Sequence, residues 1–301
     1  MGIFKNLSSR KNVLNTIKTK SGYIAVDDEL RKTIQNSLLE MLVDIDKVCS
    51  ENQIEFFLCG GSCLGAVRHS GFIPWDDDVD IAMTREAYMR FVEVFESNMC
   101  DKYILNAPNY SKESISRFPK VLKKDSVYIT GDTTNIDLCK LYIDIFLLEN
   151  VPENKFVRAV KGILCNGLEF ISGQVHFIRY STVDERKMYK EYDAVSYYIR
   201  LCIGKLFSFL SVSTYNNLVD KVVQYKNEKS KLYGFPTGRK HYFGEILPRE
   251  TFFPLIRLPF EGYMMPVPEN YKRYLKNLYG NFMQIPDEDK REHHYIKKIQ
   301  L

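Results

Sequence analysis

Four carboxylates stand within five residues at Asp76-Asp77-Asp78-Val79-Asp80, and no other stretch restricts the fold of this chain so tightly. The last of them enter an apolar run, Val79, Ile81, Ala82 and Met83, which places Asp78 and Asp80 at the start of a β-strand. Side chains alternate along a strand with a period of two. Asp76, Asp78 and Asp80 therefore share one face and Asp77 takes the other. Two carboxylates at i and i+2 on one face make a cation site. Hard oxygen ligands without a His or Cys cluster nearby select magnesium or manganese rather than zinc.

A glycine turn lies just upstream. The strand candidate Ile54–Leu58 runs through Cys59 into Gly60-Gly61-Ser62, followed by the helix-like run Cys63–Arg68. Missing Cβ atoms let backbone N–H groups approach a ligand, and Ser62 stands where an N-cap belongs. The start of a helix favours anions, phosphate above all. A Gly-Gly-Ser turn is by itself only a turn, and an acidic cluster by itself only a solvated loop. In this order and proximity, Gly60, Gly61 and Ser62 are candidates for a donor diphosphate and the acids for its metal.

The run LGAVRHSGFIPWDDDVDI closely resembles the signature of the LicD family, phosphotransferases related to the fukutin-related proteins. The resemblance continues at FPKV (Phe118–Val121), YIDIFLLENVP (Tyr142–Pro152) and Leu258–Pro286, and leaves the middle of the chain unmatched. It implies an α+β fold: a nucleotidyltransferase-like mixed β-sheet flanked by helices, with an additional helical subdomain. It also implies transfer of phosphocholine or a similar group from a CDP-linked donor, CDP-choline first, to a glycan or lipid-linked glycan. Asp144 stands inside the apolar run 141–148, where a charge is costly unless paired or metal-bound. The resemblance makes it the third carboxylate of the site, a metal ligand with Asp78 and Asp80 and the acceptor of a hydroxyl proton; pairing with a core Arg or Lys is the other reading. Lys120, within FPKV, is a candidate phosphate contact.

Arg68, His69, Trp75 and Asp76 border the turn and the acids and are candidate substrate contacts. Aromatic faces hold quaternary ammonium groups, so Trp75, the single tryptophan, is a candidate wall for choline, with a plain core tryptophan as the alternative. His293 and His294 end the matched C-terminal region without an assigned role. Two rivals share part of the pattern: a glycosyltransferase with a metal-binding Asp-x-Asp and a nucleotide sugar, and a non-catalytic glycan-binding protein of the same fold. The first needs a larger nucleotide-binding region ahead of its motif than one helix and one strand.

Seven scattered cysteines suit reduced thiols in a cytoplasm-like compartment, and Cys59 and Cys63 lack the second Cys/His pair that zinc requires. The first residues hold no apolar stretch of secretory length. No zinc-finger or RNA-binding signature points to nucleic acid. The net charge of +4 is uneven: residues 1–20 carry five Lys/Arg and no acid, and residues 155–240 carry 15 Lys/Arg against 7 Asp/Glu. A cytoplasmic protein resting on the anionic inner face of a membrane fits that distribution; ordinary solubilising surface fits it too.

Along the chain the expected parts are a basic arm (1–24), the catalytic core (25–152), a mainly helical subdomain (153–240) and the C-terminal part of the matched region (241–301). The stripe Leu30, Ile34, Leu38, Met41, Leu42, Ile45 and Val48 predicts a helix from Asp28 or Glu29 to Cys49. Thr84 caps a second helix to Asn98, and short strands are expected near 103–105, 119–122, 127–130 and 141–148. Phe156, Val160, Ile163, Leu164, Leu168 and Ile171 predict a helix packing its stripe, and Tyr215, Leu218, Val222 and Tyr225 another. Pro268 opens a last helix ended by Gly280.

Overall fold

The computed structural model describes residues 26–112, 114–130, 139–227, 230–288, 291 and 296–301. The basic arm over residues 1–24 and the pair His293 and His294 lie outside the described residues. The first part runs α1 (Asp28–Glu51), β1 (Phe57–Leu58), α2 (Gly60–His69), β2 (Asp80–Thr84), α3 (Arg85–Met99), β3 (Tyr103–Asn106), β4 (Lys120–Lys123), β5 (Val127–Thr130) and β6 (Tyr142–Val151). Four helices follow: α4 (Lys155–Tyr180), α5 (Val183–Tyr192), α6 (Ala194–Leu206) and α7 (Val212–Val223). The chain ends with β7 (Leu232–Gly234), α8 (His241–Gly244), β8 (Leu247–Pro248), β9 (Leu255–Phe260), β10 (Tyr263–Pro268), α9 (Tyr271–Tyr279) and β11 (Ile296–Gln300).

The fold is α+β, built on a mixed sheet in the order β1-β2-β6-β4-β3 with β7 and β8 continuing from the far end of β6. Among the described residues only the β2–β6 pair is parallel, and its register sets Asp80 opposite Asp144. On the other side of β6, antiparallel β4 sets Lys120 opposite the same Asp144. Three charged side chains are thus brought side by side by register alone.

Helix α1 covers this sheet with the predicted stripe. Its N-cap Asp27 accepts from the Leu30 N–H at 2.8 Å, and Ile34, Leu38, Met41, Leu42 and Ile45 are fully buried. Each such side chain contributes roughly 1.5–3 kcal/mol relative to exposure. Thr84 caps α3 as expected, its hydroxyl accepting from the Ala87 N–H at 3.2 Å.

The local differences have simple causes. Strand β1 holds two residues rather than five, because only Phe57 and Leu58 find partners in β2. Ser62 is not an N-cap: α2 begins at Gly60, with Cys59 in the cap position and no side-chain cap. Pro268 closes β10 instead of opening a helix, and α9 begins beyond Asn270, ending at Gly280 with φ 69° as expected.

The largest correction concerns α4. Its stripe is helical and its second half, Leu168 and Ile171, packs inward, yet Phe156, Val160, Ile163 and Leu164 face outward, while Gly162, Cys165, Glu169 and Ser172 are buried. Close packing explains the choice: a Cβ at Gly162 would lie 2.1 Å from the Phe243 ring, so only glycine lets α8 come this near. The buried face of α7 is likewise shifted to Val212, Tyr215, Asn216, Val219 and Val223. The helical layer joins the sheet through Arg85 of α3, which pairs with buried Glu149 of β6 and, at 2.8 Å, with Asp220 of α7.

Candidate active site

Backbone hydrogen bonds hold the acids at the start of α2. Asp80 donates its N–H to the Ser62 hydroxyl at 2.9 Å and its carbonyl accepts from the Cys59 N–H at 3.0 Å. Gln35 donates to the Asp76 carbonyl at 2.9 Å, and Asp144 donates its N–H to the Val79 carbonyl at 3.1 Å. Strand β2 begins at Asp80, with Asp78 just ahead of it, yet the alternation of the acids holds in space. Asp76, Asp78 and Asp80 line one cleft, whereas Asp77 turns into the protein, 5 % exposed, and accepts from the Tyr128 hydroxyl at 3.1 Å.

Glycine is required at the first position of the turn and leaves room for Asp76 at the second. Gly60 has φ 51°, and a Cβ there would stand 2.9 Å from Asp80 Oδ2. A Cβ at Gly61 would stand 2.9 Å from Asp76 Oδ2. The turn is buttressed from the C-terminal region by Tyr274, whose buried hydroxyl accepts from the Gly60 N–H at 3.0 Å.

The cleft has a volume of about 300 Å³. Gly61, Arg68, Trp75, Asp76, Asp78 and Asp80 line it, joined by Arg239, Tyr279 and Arg291. Gly60, Ser62, His69, Lys120 and Asp144 stand outside its lining. A larger opening of about 690 Å³ lies elsewhere, lined by Glu40, Asp44, Lys102 and Lys123 among others. Both of its lysines are engaged, Lys102 with Asp44 and Lys123 with Glu40, and the clustered acids of residues 76–80 line the smaller cleft instead.

Burial pushes the Asp80 carboxyl well above the ordinary carboxylate range, and the neighbouring Asp78, Asp144 and Asp76 push it further against the opposing pull of Lys120. A dication would relieve that repulsion. Among the described residues no three His, Cys, Asp or Glu side chains form a group that could hold a metal ion. The carboxylates of Asp76, Asp78 and Asp80 are thus oxygen donors open to the cleft and not a closed protein cage.

Asp144 meets the alternative raised by its sequence context, since the Lys120 ammonium is bonded to its carboxylate. Lys120 also lies over the Tyr142 ring at 3.5 Å and the Phe118 ring at 5.1 Å, so the expected phosphate contact is engaged within the sheet. Arg68 is likewise tied into the fold. It donates to the Phe282 carbonyl at 2.9 Å and to His69 Nε2 at 2.9 Å. Trp75 does not offer an open face to choline. Arg291 stacks over it at 4.3 Å and Arg68 at 5.9 Å, and the His69 ring meets it edge-on at 6.4 Å.

Arg239, Tyr279 and Arg291 escaped the sequence reading. Tyr279 and Arg291 fall within the matched C-terminal region, which gave a signal there without singling them out; Arg239 lies ahead of that region and had none.

Comparison with known proteins agrees with this geometry. The family described as LicD/FKTN/FKRP, nucleotidyltransferase domain, matches residues 53–158, a span that holds the glycine turn, all four acids of the cluster, Lys120 and Asp144. Lipopolysaccharide cholinephosphotransferase LicD of Haemophilus influenzae is 27% identical over 279 residues, covering 87% of this chain and 95% of that protein. Over residues 53–158 the chain matches the LicD family. Shorter matches reach uncharacterized proteins of Rickettsia typhi, 38% identical over 58 residues, and Rickettsia prowazekii, 36% identical over 70 residues. These cover 19% and 21% of this chain, and 19% and 26% of the rickettsial proteins.

Proposed function

We propose that the protein is a metal-dependent phosphotransferase that moves a substituted phosphate, phosphocholine foremost, from a CDP-linked donor to a hydroxyl of a surface glycan or its lipid-linked precursor. The observation that carries this reading is the convergence of Asp76, Asp78 and Asp80 on one cleft with Arg239 and Arg291. Carboxylates for a cation and arginines for phosphate oxygens, in one opening, suit a diphosphate donor. The likeness to a cholinephosphotransferase supplies the transferred group.

Asp78 and Asp80 would hold magnesium or manganese, which when bound neutralises charge on the phosphate oxygens. Gly60 and Gly61 keep the start of α2 bare of side chains, leaving room for the donor diphosphate. Arg239 and Arg291 counter the remaining phosphate charge. The acceptor oxygen forms a bond to the choline-bearing phosphorus while the bond from that phosphorus to CMP breaks, and the hydroxyl proton passes to Asp144. Lys120 keeps the Asp144 carboxylate oriented for that transfer. With a lipid-linked acceptor, the protein works at the cytoplasmic face of the membrane, drawn there by its basic regions.

A thermal-shift series with CDP-choline, CDP-ribitol, CDP-glycerol, UDP-sugars and CDP, with and without magnesium, tests the donor. A ligand at a hundredfold excess over its Kd stabilises the native state by about 2.7 kcal/mol. Stabilisation by a CDP-alcohol that requires magnesium, followed by CMP release in the presence of acceptor, is the expected result. Turnover of a UDP-sugar with none of any CDP donor would replace the reading by glycosyl transfer.

A further inference from the structure

Helix α4 leaves its first apolar stretch bare. Phe156 is 76 % exposed, Ile163 67 % and Leu164 51 %, and a Cβ at Gly167 would meet nothing within 4 Å. Phe156, Val160, Ile163 and Gly167 recur at steps of three and four and so share one side of the helix. Further along the same side, Gln174 and Ile178 are covered: α6 lies on them, with Gly204 against the Gln174 carbonyl and the Ile178 side chain. Helix α6 therefore sits on the face that α4 exposes nearer its start, and the outer side of α6 looks the same way.

That outer side is apolar too. Val195 is 65 % exposed, Leu206 69 % and the adjoining Phe209 74 %, while Ser196 and Arg200 are turned inward. A helix bordering water has the opposite arrangement. Two neighbouring helices thus present apolar side chains in one direction, the kind of patch that marks an interaction surface.

Charge decides the occupant. Exposed Lys155 and Lys205 border the patch, the Lys190 ammonium lies 5.8 Å from the centre of the Tyr198 ring, and residues 194–212 contain no acid. Residues 155–240 as a whole carry 15 Lys/Arg against 7 Asp/Glu. A second copy would set this excess against itself, whereas an anionic bilayer complements it. Among the described residues no helix is long and apolar enough to cross a membrane. We propose that α4 and α6 lie in the plane of an anionic lipid surface, with Phe156, Ile163, Leu206 and Phe209 sunk to the boundary between headgroups and acyl chains. The inference extends the reading of a membrane-linked acceptor by naming the surface that inserts.

The test is co-sedimentation of the full chain with phosphatidylcholine vesicles and with vesicles containing phosphatidylglycerol, comparing wild type with the triple variant Ile163→Glu, Leu206→Glu, Phe209→Glu. All three positions are exposed, and circular dichroism melting verifies that the variant folds. Wild type is expected to prefer phosphatidylglycerol vesicles and to retain part of its binding at high salt, and the variant to bind at least about tenfold more weakly. Magnesium-dependent stabilisation by CDP-choline reads the cleft separately and is expected to be equal in both, so its absence in wild type would count against the proposed reaction and not against the docking face. Equal vesicle binding by the two proteins, or none by wild type, overturns the proposal. A dimer seen by light scattering that the variant abolishes overturns it in favour of a second copy.

Discussion

Replacing Lys120 by Met asks what Asp144 does. The two side chains are 20 % and 15 % exposed, so the pair is mostly withdrawn from water. Removing one partner of a buried pair costs about 3–5 kcal/mol, and the residual exposure places Lys120→Met near the lower end. The ammonium also leaves the Tyr142 ring, at 3.5 Å, adding about 0.5–2 kcal/mol. Asp144→Asn keeps the shape and a hydrogen bond for Lys120, and should cost about 1–2 kcal/mol. The double variant is expected to be more stable than the sum of the single losses implies, by about 2 kcal/mol. Urea denaturation followed through Trp75, the single tryptophan and part of the cleft wall, measures all four proteins. Repeating it with magnesium separates pairing from metal binding. An Asp144 stripped of its lysine beside Asp78 and Asp80 should tighten the ion, and each tenfold in Kd adds about 1.4 kcal/mol to the magnesium-induced stabilisation. A loss below about 1 kcal/mol for Lys120→Met would mean that water already screens the pair. Identical responses of wild type and Lys120→Met to magnesium would remove Asp144 from the ion's surroundings.

Asp78→Asn and Asp80→Asn are each expected to abolish transfer without unfolding the protein; because Asp80 stands half-buried among like charges, its amide variant should melt no lower than wild type in the absence of metal, and near-normal turnover in either would unseat both as ligands. Gly60→Ala should lose about 1–2 kcal/mol from the left-handed backbone alone and more from contact with Asp80, whereas Gly61→Ala, with ordinary helical backbone, should stay within about 1 kcal/mol of wild type yet lose activity as Asp76 is displaced; equal effects at both positions in denaturation and transfer assays would contradict the geometry. His241 stands 3.5 Å from Glu169, and attraction to that buried carboxylate raises the His241 pKa above its ordinary value. The stabilisation this brings is fully present below about pH 6.5 and fades as pH rises through the folded value, so unfolding free energies of wild type and His241→Asn should converge toward pH 8 and separate toward pH 5; parallel curves would show that the pair contributes nothing.

Local pattern was enough for the parts of the molecule whose cause is local. The stripe of α1, the Thr84 cap and the left-handed Gly280 follow from spacing and side-chain chemistry within one or two turns of chain. So does the division of the acids: a period of two sends Asp76, Asp78 and Asp80 to the cleft and Asp77 to Tyr128, whatever surrounds them. The presence of a charge within an apolar run likewise marked Asp144 as needing a partner, since burial penalises an unpaired carboxylate in any fold.

Which partner it found was decided by strand order. Antiparallel β4 places Lys120 against Asp144 and parallel β2 places Asp80 against it, and neither register is visible in the segments taken singly. Arg239 and Arg291 reach the cleft for the same kind of reason: the C-terminal region folds back on α2, as the bond from Gly60 to Tyr274 records. The apolar periodicity of α4 shows the limit most plainly. It requires a helix with one greasy side, but burying Gly162 against Tyr242 and Phe243 turns the first half of that side outward, while Leu168 and Ile171 stay packed inward. Periodicity determines which residues share a face; what lies against that face is settled by packing between segments far apart in the chain.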